Sequence, residues 1–205
     1  MQTNSTKELL AEVRKSYRLL YSYQKRILDL VDFIGKKYGL NYDGGYPKFS
    51  SPGPRNGSGR LDLWAWDWLN MYFYEFHFQN KKAGEDTIYF SIFLMNDSGF
   101  FETHNENKIG KTSVSKFAEV EDSTSDLIFV VGKNLWDGWG YNWDEPEFIL
   151  NESGEKRKGN NKYMIFKHYA LDLFEDENGA MKCIKDFEAL CKENNIKLKV
   201  LDQKI

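Results

Sequence analysis

Residues 5–39 read STKELLAEVRKSYRLLYSYQKRILDLVDFIGKKYG, and this stretch predicts a long helix. Apolar and aromatic residues recur in it at intervals of three and four positions, the spacing of one helix face. Ser5 and Glu8 have the spacing of a capping box, and Gly39 is placed to cap the other end. Unbroken, the helix is about 50 Å long at ~1.5 Å per residue, so it either breaks near Ser22 or projects from the domain and needs a partner. The predicted face consists of Leu9, Val13, Tyr17, Leu20, Ile27, Val31, Ile34 and Tyr38, with Gln24 as its one polar member.

Beyond residue 60 the periodicity changes to that of β-strands. Aromatic residues at alternate positions from Trp64 to Phe78, followed by an apolar run over 87–95, predict an antiparallel hairpin at the centre of the fold. Further strands are predicted at 127–131 and 163–174. Near the C-terminus, apolar residues at helical spacing predict a second helix: Met181, Ile184, Phe187, Leu190 and Cys191. Alternating apolar residues after it predict a last short strand: Ile196, Leu198 and Val200.

The predicted fold is therefore α+β. It has a long N-terminal helix, an antiparallel-rich sheet of about five strands, and a C-terminal helix followed by a short strand. The length fits a single domain over 1–205, in which 1–40 is the long helical element, 41–60 a Gly/Pro-rich loop and 61–205 the α+β core. The polar stretch 151–161 is assigned to another loop.

Composition excludes several classes of protein. With 41% hydrophobic and 29% charged residues and only 4 prolines, the chain is neither fibrous nor wholly disordered. No apolar run approaches the ~18 residues that span a bilayer, and the first residues lack the plan of a secretory signal. Cys183 and Cys191 lie about 12 Å apart on the predicted helix, beyond disulfide reach. We therefore expect reduced, core-facing thiols in a cytoplasmic protein without a membrane partner.

The sequence offers little for nucleophilic catalysis. It has three histidines, no Gly-x-Ser-x-Gly elbow and no cysteine in a reactive context, which disfavours a serine or cysteine hydrolase. For a magnesium nuclease the nearest match is Glu75-Phe76-His77, which has His where Lys is expected. A lone His77 opposite the aromatic face of its strand is typical of a surface or hydrogen-bonded side chain. The balance favours a protein that is not an enzyme, with no cofactor.

A candidate metal site lies in the polar segment after the hairpin. Glu102, His104 and Glu106 alternate, so on a strand all three point the same way and could hold Mn²⁺, Fe²⁺ or Zn²⁺. Asparagines interleave with them and lysines follow, which is typical of a solvated turn. The solvated turn is therefore the favoured interpretation.

The most unusual stretch is the acidic-aromatic segment from residue 136 to 145. Tryptophans flanked by glycine can form a stacking platform for a sugar, a nucleobase or a methylammonium group, with carboxylates as hydrogen-bond acceptors. The alternative is a loop that folds over a sheet edge and buries its rings, and we favour it slightly. The candidate ligand-binding residues are Trp136, Asp137, Trp139, Tyr141, Trp143 and Asp144.

The N-terminal helix also carries basic side chains among its tyrosines. Such a set can hold nucleic acid by neutralising phosphates and stacking on bases. Glu8 and Glu12 interrupt it, and the whole chain carries a net charge of −3, so an ordinary solvated helix face is favoured over a nucleic-acid partner. The candidate nucleic-acid residues are Arg14, Arg18, Lys25 and Arg26.

From these patterns we expect a non-catalytic cytosolic binding or accessory protein that recognises another macromolecule. The partner is another protein, or a second copy of the chain, bound through the N-terminal helix. Two alternatives remain: a metal-dependent hydrolase acting on phosphoesters, and a small-ligand-binding module with a Trp-rich loop.

Overall fold

Two long helices and seven strands form the described part of the fold in this computed structural model, which covers residues 5–47, 73–100, 114–135 and 151–201. The predicted α+β class is confirmed. The helices are α1 (Thr6–Tyr38) and α2 (Glu177–Glu193); the strands are β1 (Tyr42–Pro47), β2 (Phe73–Phe78), β3 (Lys81–Ala83), β4 (Asp86–Met95), β5 (Asp126–Lys133), β6 (Ser153–Arg157) and β7 (Tyr163–Ala170); short 3₁₀ turns lie at Val114–Lys116, Val120–Asp122 and Leu171–Phe174.

The strands form a single antiparallel sheet. Their order is β1-β2-β4-β5-β7-β6, and β3 pairs with the start of β4 beyond the end of β2. The central hairpin is present as predicted, because β2 and β4 pair antiparallel.

The sheet is wider than predicted because two segments assigned to loops are strands. β1 lies inside the 41–60 stretch, and β6 lies inside 151–161. Both are at an edge of the sheet, where a strand pairs on one side only and needs no buried alternating face. Their glycines and charged residues do not show the apolar alternation by which a strand is predicted.

The predicted last strand is wrong. Residues 196–200 do alternate, with Ile196 and Leu198 buried, but they pair with no strand in the described chain. Their backbone bonds to side chains and helix ends instead: the Val200 amide donates to Glu188 Oε1 at 3.0 Å, and the Ile196 amide donates to the Cys191 carbonyl at 2.8 Å. An extended segment that packs against a helix shows the same alternation as a strand.

The two helices cover one face of the sheet. A cluster of rings joins them to the central strands, with Phe129 of β5 5.9 Å from Phe90 and 5.4 Å from Phe187 of α2 between ring centroids. The hydroxyl of Tyr38, at the end of α1, donates to the Ile184 carbonyl of α2 at 2.8 Å. The opposite face carries a second apolar layer, formed by Phe73, Phe93, Met95, Phe100, Ile128, Val130, Leu135, Met164 and Phe166.

Helix α1 is continuous from end to end. Its capping box is present as predicted, since Ser5 accepts from the Glu8 amide and Glu8 accepts from the Ser5 amide. Gly39 ends the helix with a φ of 65°, the left-handed conformation that glycine adopts without a steric penalty. Only the second half of α1 lies on the sheet. Gly35 packs tightly against β2, because a Cβ there would be 2.3 Å from a ring carbon of Phe78.

Candidate functional site

The first half of α1 projects from the rest of the fold with its apolar side chains uncovered. We call this projecting segment the overhang; it runs from Thr6 to Ser22, about 25 Å at ~1.5 Å per residue. One side of it, which we call the open face, is lined by five residues with large exposed fractions: Leu9 (58%), Leu10 (51%), Val13 (42%), Tyr17 (68%) and Leu20 (37%).

The open face continues the line of residues that α1 buries against the sheet. Eighteen residues make five turns of an α-helix, so residues that far apart lie on one line. Leu9 is in line with Ile27, which is 1% exposed, and Val13 is in line with Val31, which is 4% exposed. The stripe is therefore a single apolar surface, and the sheet covers only its second half.

The boundary between the two halves of α1 is fixed by polar contacts between the helix and the rest of the fold, which we call the body. The Tyr23 hydroxyl donates to Asn96 Oδ1, and burial raises the pKa of Tyr23 to about 12. The Arg26 guanidinium donates to the carbonyls of Phe174 at 3.1 Å and Glu175 at 2.7 Å. These contacts clamp α1 to the body from residue 23 onward and leave the overhang unsupported by the described chain.

The four basic residues suggested for nucleic acid do not act as one group. Arg14, Arg18 and Lys25 are exposed on α1, whereas Arg26 is turned to the two carbonyls that anchor the helix. The remaining side of the overhang is solvated. It holds the exposed Lys15–Glu12 ion pair at 2.7 Å.

A second constellation lies in the other face of the sheet, on strands β2 and β4. His77 and Ser91 are cross-strand partners, and Nδ1 of His77 is 2.7 Å from Oγ of Ser91. The other ring nitrogen, Nε2, is 3.0 Å from Oε2 of Glu75, two residues earlier on the same face of β2. A serine, a histidine and a carboxylate in this order are the groups of a nucleophilic triad.

The burial of Ser91 argues against nucleophilic catalysis by this arrangement. A cavity of about 180 Å³ lies beside the trio, with Asp43, Asn80 and Tyr89 in its wall, and is smaller than ordinary ligand sites of ~300–1,000 Å³. Ser91 is 0% exposed, so its oxygen offers no surface to the carbonyl carbon that a nucleophile must attack. Both ring nitrogens of His77 are already engaged by protein groups.

Glu75 and His77 are better explained as a buried polar pair that stabilises the sheet. Glu75 is 0% exposed, and its Oε1 has no hydrogen-bond partner among the described residues. Glu75 and His77 bond to each other at 3.0 Å, so neither buried side chain is isolated in the interior. The expectation of a hydrogen-bonded His77 agrees with this geometry; the pairing with Ser91 was not foreseen.

Two sets of sequence candidates lie outside the described residues. These are the metal set Glu102, His104 and Glu106, and the aromatic set from Trp136 to Asp144. Within the described ranges, no group of three or more His, Cys, Asp or Glu side chains is arranged to hold a metal ion. In the same ranges, no helix has both the length and the apolarity that crossing a bilayer demands.

Comparison with known protein families gives a match over nearly the whole chain. A family model described as PM0109 matches residues 3–198. The chain belongs to the PM0109 family. Because the matched length includes all of α1, the overhang lies within the PM0109 match and is not a tail outside it. Neither the curated proteins nor the solved structures include a match to the chain.

Proposed function

We propose that this PM0109-family protein is a cytosolic binding or accessory protein that recognises another macromolecule, and that the open face of α1 is its binding surface. The observation that carries the proposal is the exposure of five large apolar residues, four of them in line with a buried stripe and the fifth, Leu10, beside them. Isolated exposed leucines are ordinary on protein surfaces, but a contiguous apolar stripe is typical of an interaction site.

The free energy available at the open face supports this function. The exposed fractions of its five residues add up to about two and a half whole side chains. Full burial of one such side chain is worth about 1.5–3 kcal/mol, so covering the face would contribute about 4–8 kcal/mol per chain. That gain is enough to offset much of the cost of association, which is about 4–15 kcal/mol.

The stability of the overhang points the same way. Most helical stability in proteins comes from packing of an apolar face. The overhang has a favourable capping box at its start but no packing partner in the described chain. A bound macromolecule would supply that packing.

The cysteines support a reducing compartment. Cys183 and Cys191 are both free and buried. Burial raises the pKa of each thiol, which keeps both protonated and unreactive. Two inert thiols in the core suit the cytosol, where disulfides are rare.

The proposal is tested in cells with a photo-reactive phenylalanine analogue placed at one of two matched positions. Tyr17 is 68% exposed on the open face, and Leu19 is 70% exposed on another side of the same helix turn. We expect irradiation to give a discrete covalent adduct from position 17 and none from position 19. Equal adducts from both positions, or none from either, would show that the open face has no specific partner.

A further inference from the structure

We infer that the occupant of the open face is the overhang of a second copy of this chain, running antiparallel to the first. The inference rests on the proposed function, because it names the partner for the same surface. Three properties of the described residues support it: where the body lies relative to the open face, the apolar surface that a pair of copies covers, and the spacing of the apolar residues.

The position of the body decides the orientation. Leu9 of the open face and Ile27, which faces the sheet, lie on one line along α1. The sheet is therefore on the same side of α1 as the open face, and it begins where the overhang ends. A parallel partner helix would continue past residue 22 and run into that sheet. An antiparallel partner ends there, because its residue 6 comes to lie beside the start of the clamped half.

The body of the second copy is accommodated as well. In the antiparallel arrangement its clamped half begins beside the N-terminal end of the first overhang, near Thr6. The two bodies then lie at opposite ends of a helix pair about 17 residues long, without competing for space.

A pair of copies covers both open faces at once. The gain from burying apolar side chains is then twice that of one face, whereas the loss of translational and rotational freedom on association occurs once. The opposed dipoles of two antiparallel helices attract each other.

The apolar residues fit a specific register. Leu10, Val13, Tyr17 and Leu20 are spaced three, four and three apart, which is the a/d spacing of a coiled coil. Antiparallel coiled coils layer an a position against a d position. The pair is therefore centred near residue 15, with Leu10 against Leu20 of the second copy and Val13 against its Tyr17.

The first measurement is the mass of the purified full-length protein by sedimentation equilibrium. We expect a reversible dimer of twice the 24.1 kDa chain. Leu20→Asp should raise the dissociation constant at least about a hundredfold, because each copy would then bury a charge at the interface. Leu19→Asp is the matched control: it makes the same chemical change one residue away, outside the open face, and should leave the dissociation constant unchanged.

The second measurement fixes the orientation by disulfide formation between variants that each carry one added cysteine. Under mild oxidation we expect Leu10→Cys and Leu20→Cys to cross-link when mixed, and neither to cross-link with itself. Cys183 and Cys191 are buried, so the wild-type protein serves as the unreactive background. Leu19→Cys should give no cross-link in any mixture.

Each result separates this inference from the proposed function. Self-cross-linking of Leu10→Cys and Leu20→Cys would overturn the antiparallel pair and leave the open face as a binding surface. A monomer at all concentrations, together with a photo-adduct from position 17 in cells, would overturn the second copy as occupant and leave the proposed function standing. A monomer without any such adduct would overturn both.

Discussion

The buried pair of Glu75 and His77 allows a quantitative test of how the sheet is held together. The perturbation is a double-mutant cycle with Glu75→Met and His77→Leu, each a change to an apolar side chain of similar volume. Both positions are buried, at 0% and 5% exposure, so water cannot replace a lost partner. The two single variants and the double variant should therefore differ sharply from additive behaviour.

The magnitudes follow from what each change leaves behind. His77→Leu leaves the Glu75 carboxylate buried without its partner, a loss of about 3–5 kcal/mol. Glu75→Met leaves Nε2 of His77 without its hydrogen bond, a loss of about 1–3 kcal/mol. The double variant leaves no orphaned group between the two positions, but it leaves the buried Ser91 hydroxyl without the bond to Nδ1. Replacement of a buried pair by apolar residues is often neutral or stabilising, so the double variant should lose only the cost of that hydroxyl, about 1–3 kcal/mol, which it shares with His77→Leu and which therefore cancels in the cycle.

The assay is urea denaturation of the four proteins at pH 7, with unfolding monitored by circular dichroism. The free energies of unfolding are compared with the same dependence on urea concentration for all four proteins. The cycle should give a coupling of at least about 3 kcal/mol, because the single losses together reach about 4 kcal/mol or more. Additivity within about 0.5 kcal/mol would refute the pairing, as would a loss below about 1 kcal/mol for His77→Leu. Ser91→Ala serves as an internal reference: it removes the 2.7 Å bond to Nδ1 and should cost about 1–3 kcal/mol.

Three further outcomes are expected. Gly35→Ala should lower the free energy of unfolding by about 1–3 kcal/mol in denaturant melts, despite the better helix propensity of alanine, because its Cβ would overlap the Phe78 ring. Burial raises the pKa of Cys191 and of Cys183, so neither thiol should react with Ellman's reagent at pH 8 until denaturant is added; rapid reaction of the native protein would contradict their burial. Burial also raises the pKa of Tyr23 from 10.0 to about 12, so the contribution of its phenol is complete below pH 10 and is lost as the pH rises through 12; the melting temperature of wild type should therefore fall more steeply than that of Tyr23→Phe over this interval.

The helices could be predicted from the sequence because their signals are local. Ser5 and Glu8 satisfy each other within one turn, and Gly39 supplies the left-handed cap, so both ends of α1 are encoded beside the helix itself. The central hairpin was predicted for a related reason, since alternation in β2 and β4 needs only the residues of each strand. Edge strands such as β6 lack that internal signal, because what defines them is a neighbouring strand.

The Ser91 contact could not be predicted because it depends on strand register. The tight turn between β3 and β4 pairs Ala83 with Asp86. A hairpin continued in that register would place His77 opposite Ile92. The structure shifts by one residue between β3 and β2 and places His77 opposite Ser91 instead. A shift of one residue exchanges the two faces of a strand, so neither composition nor periodicity identifies the partner of a polar side chain inside the sheet.

The overhang, by contrast, can be predicted from the length of α1 and the dimensions of the sheet. A helix of 33 residues is about 50 Å long at ~1.5 Å per residue. A strand of 8 to 10 residues, such as β5 or β4, is about 26–33 Å long at ~3.3 Å per residue, and six strands at ~4.8 Å span about 24 Å from the first to the last. If α1 runs along the strands, about 17 Å of it must extend past an edge, and even along the diagonal of the sheet, about 41 Å, about 9 Å must do so. The periodicity continues unchanged through that edge, from Ile27 back to Leu9, so the same apolar stripe is core on one side of the edge and exposed on the other, where we propose that a partner binds.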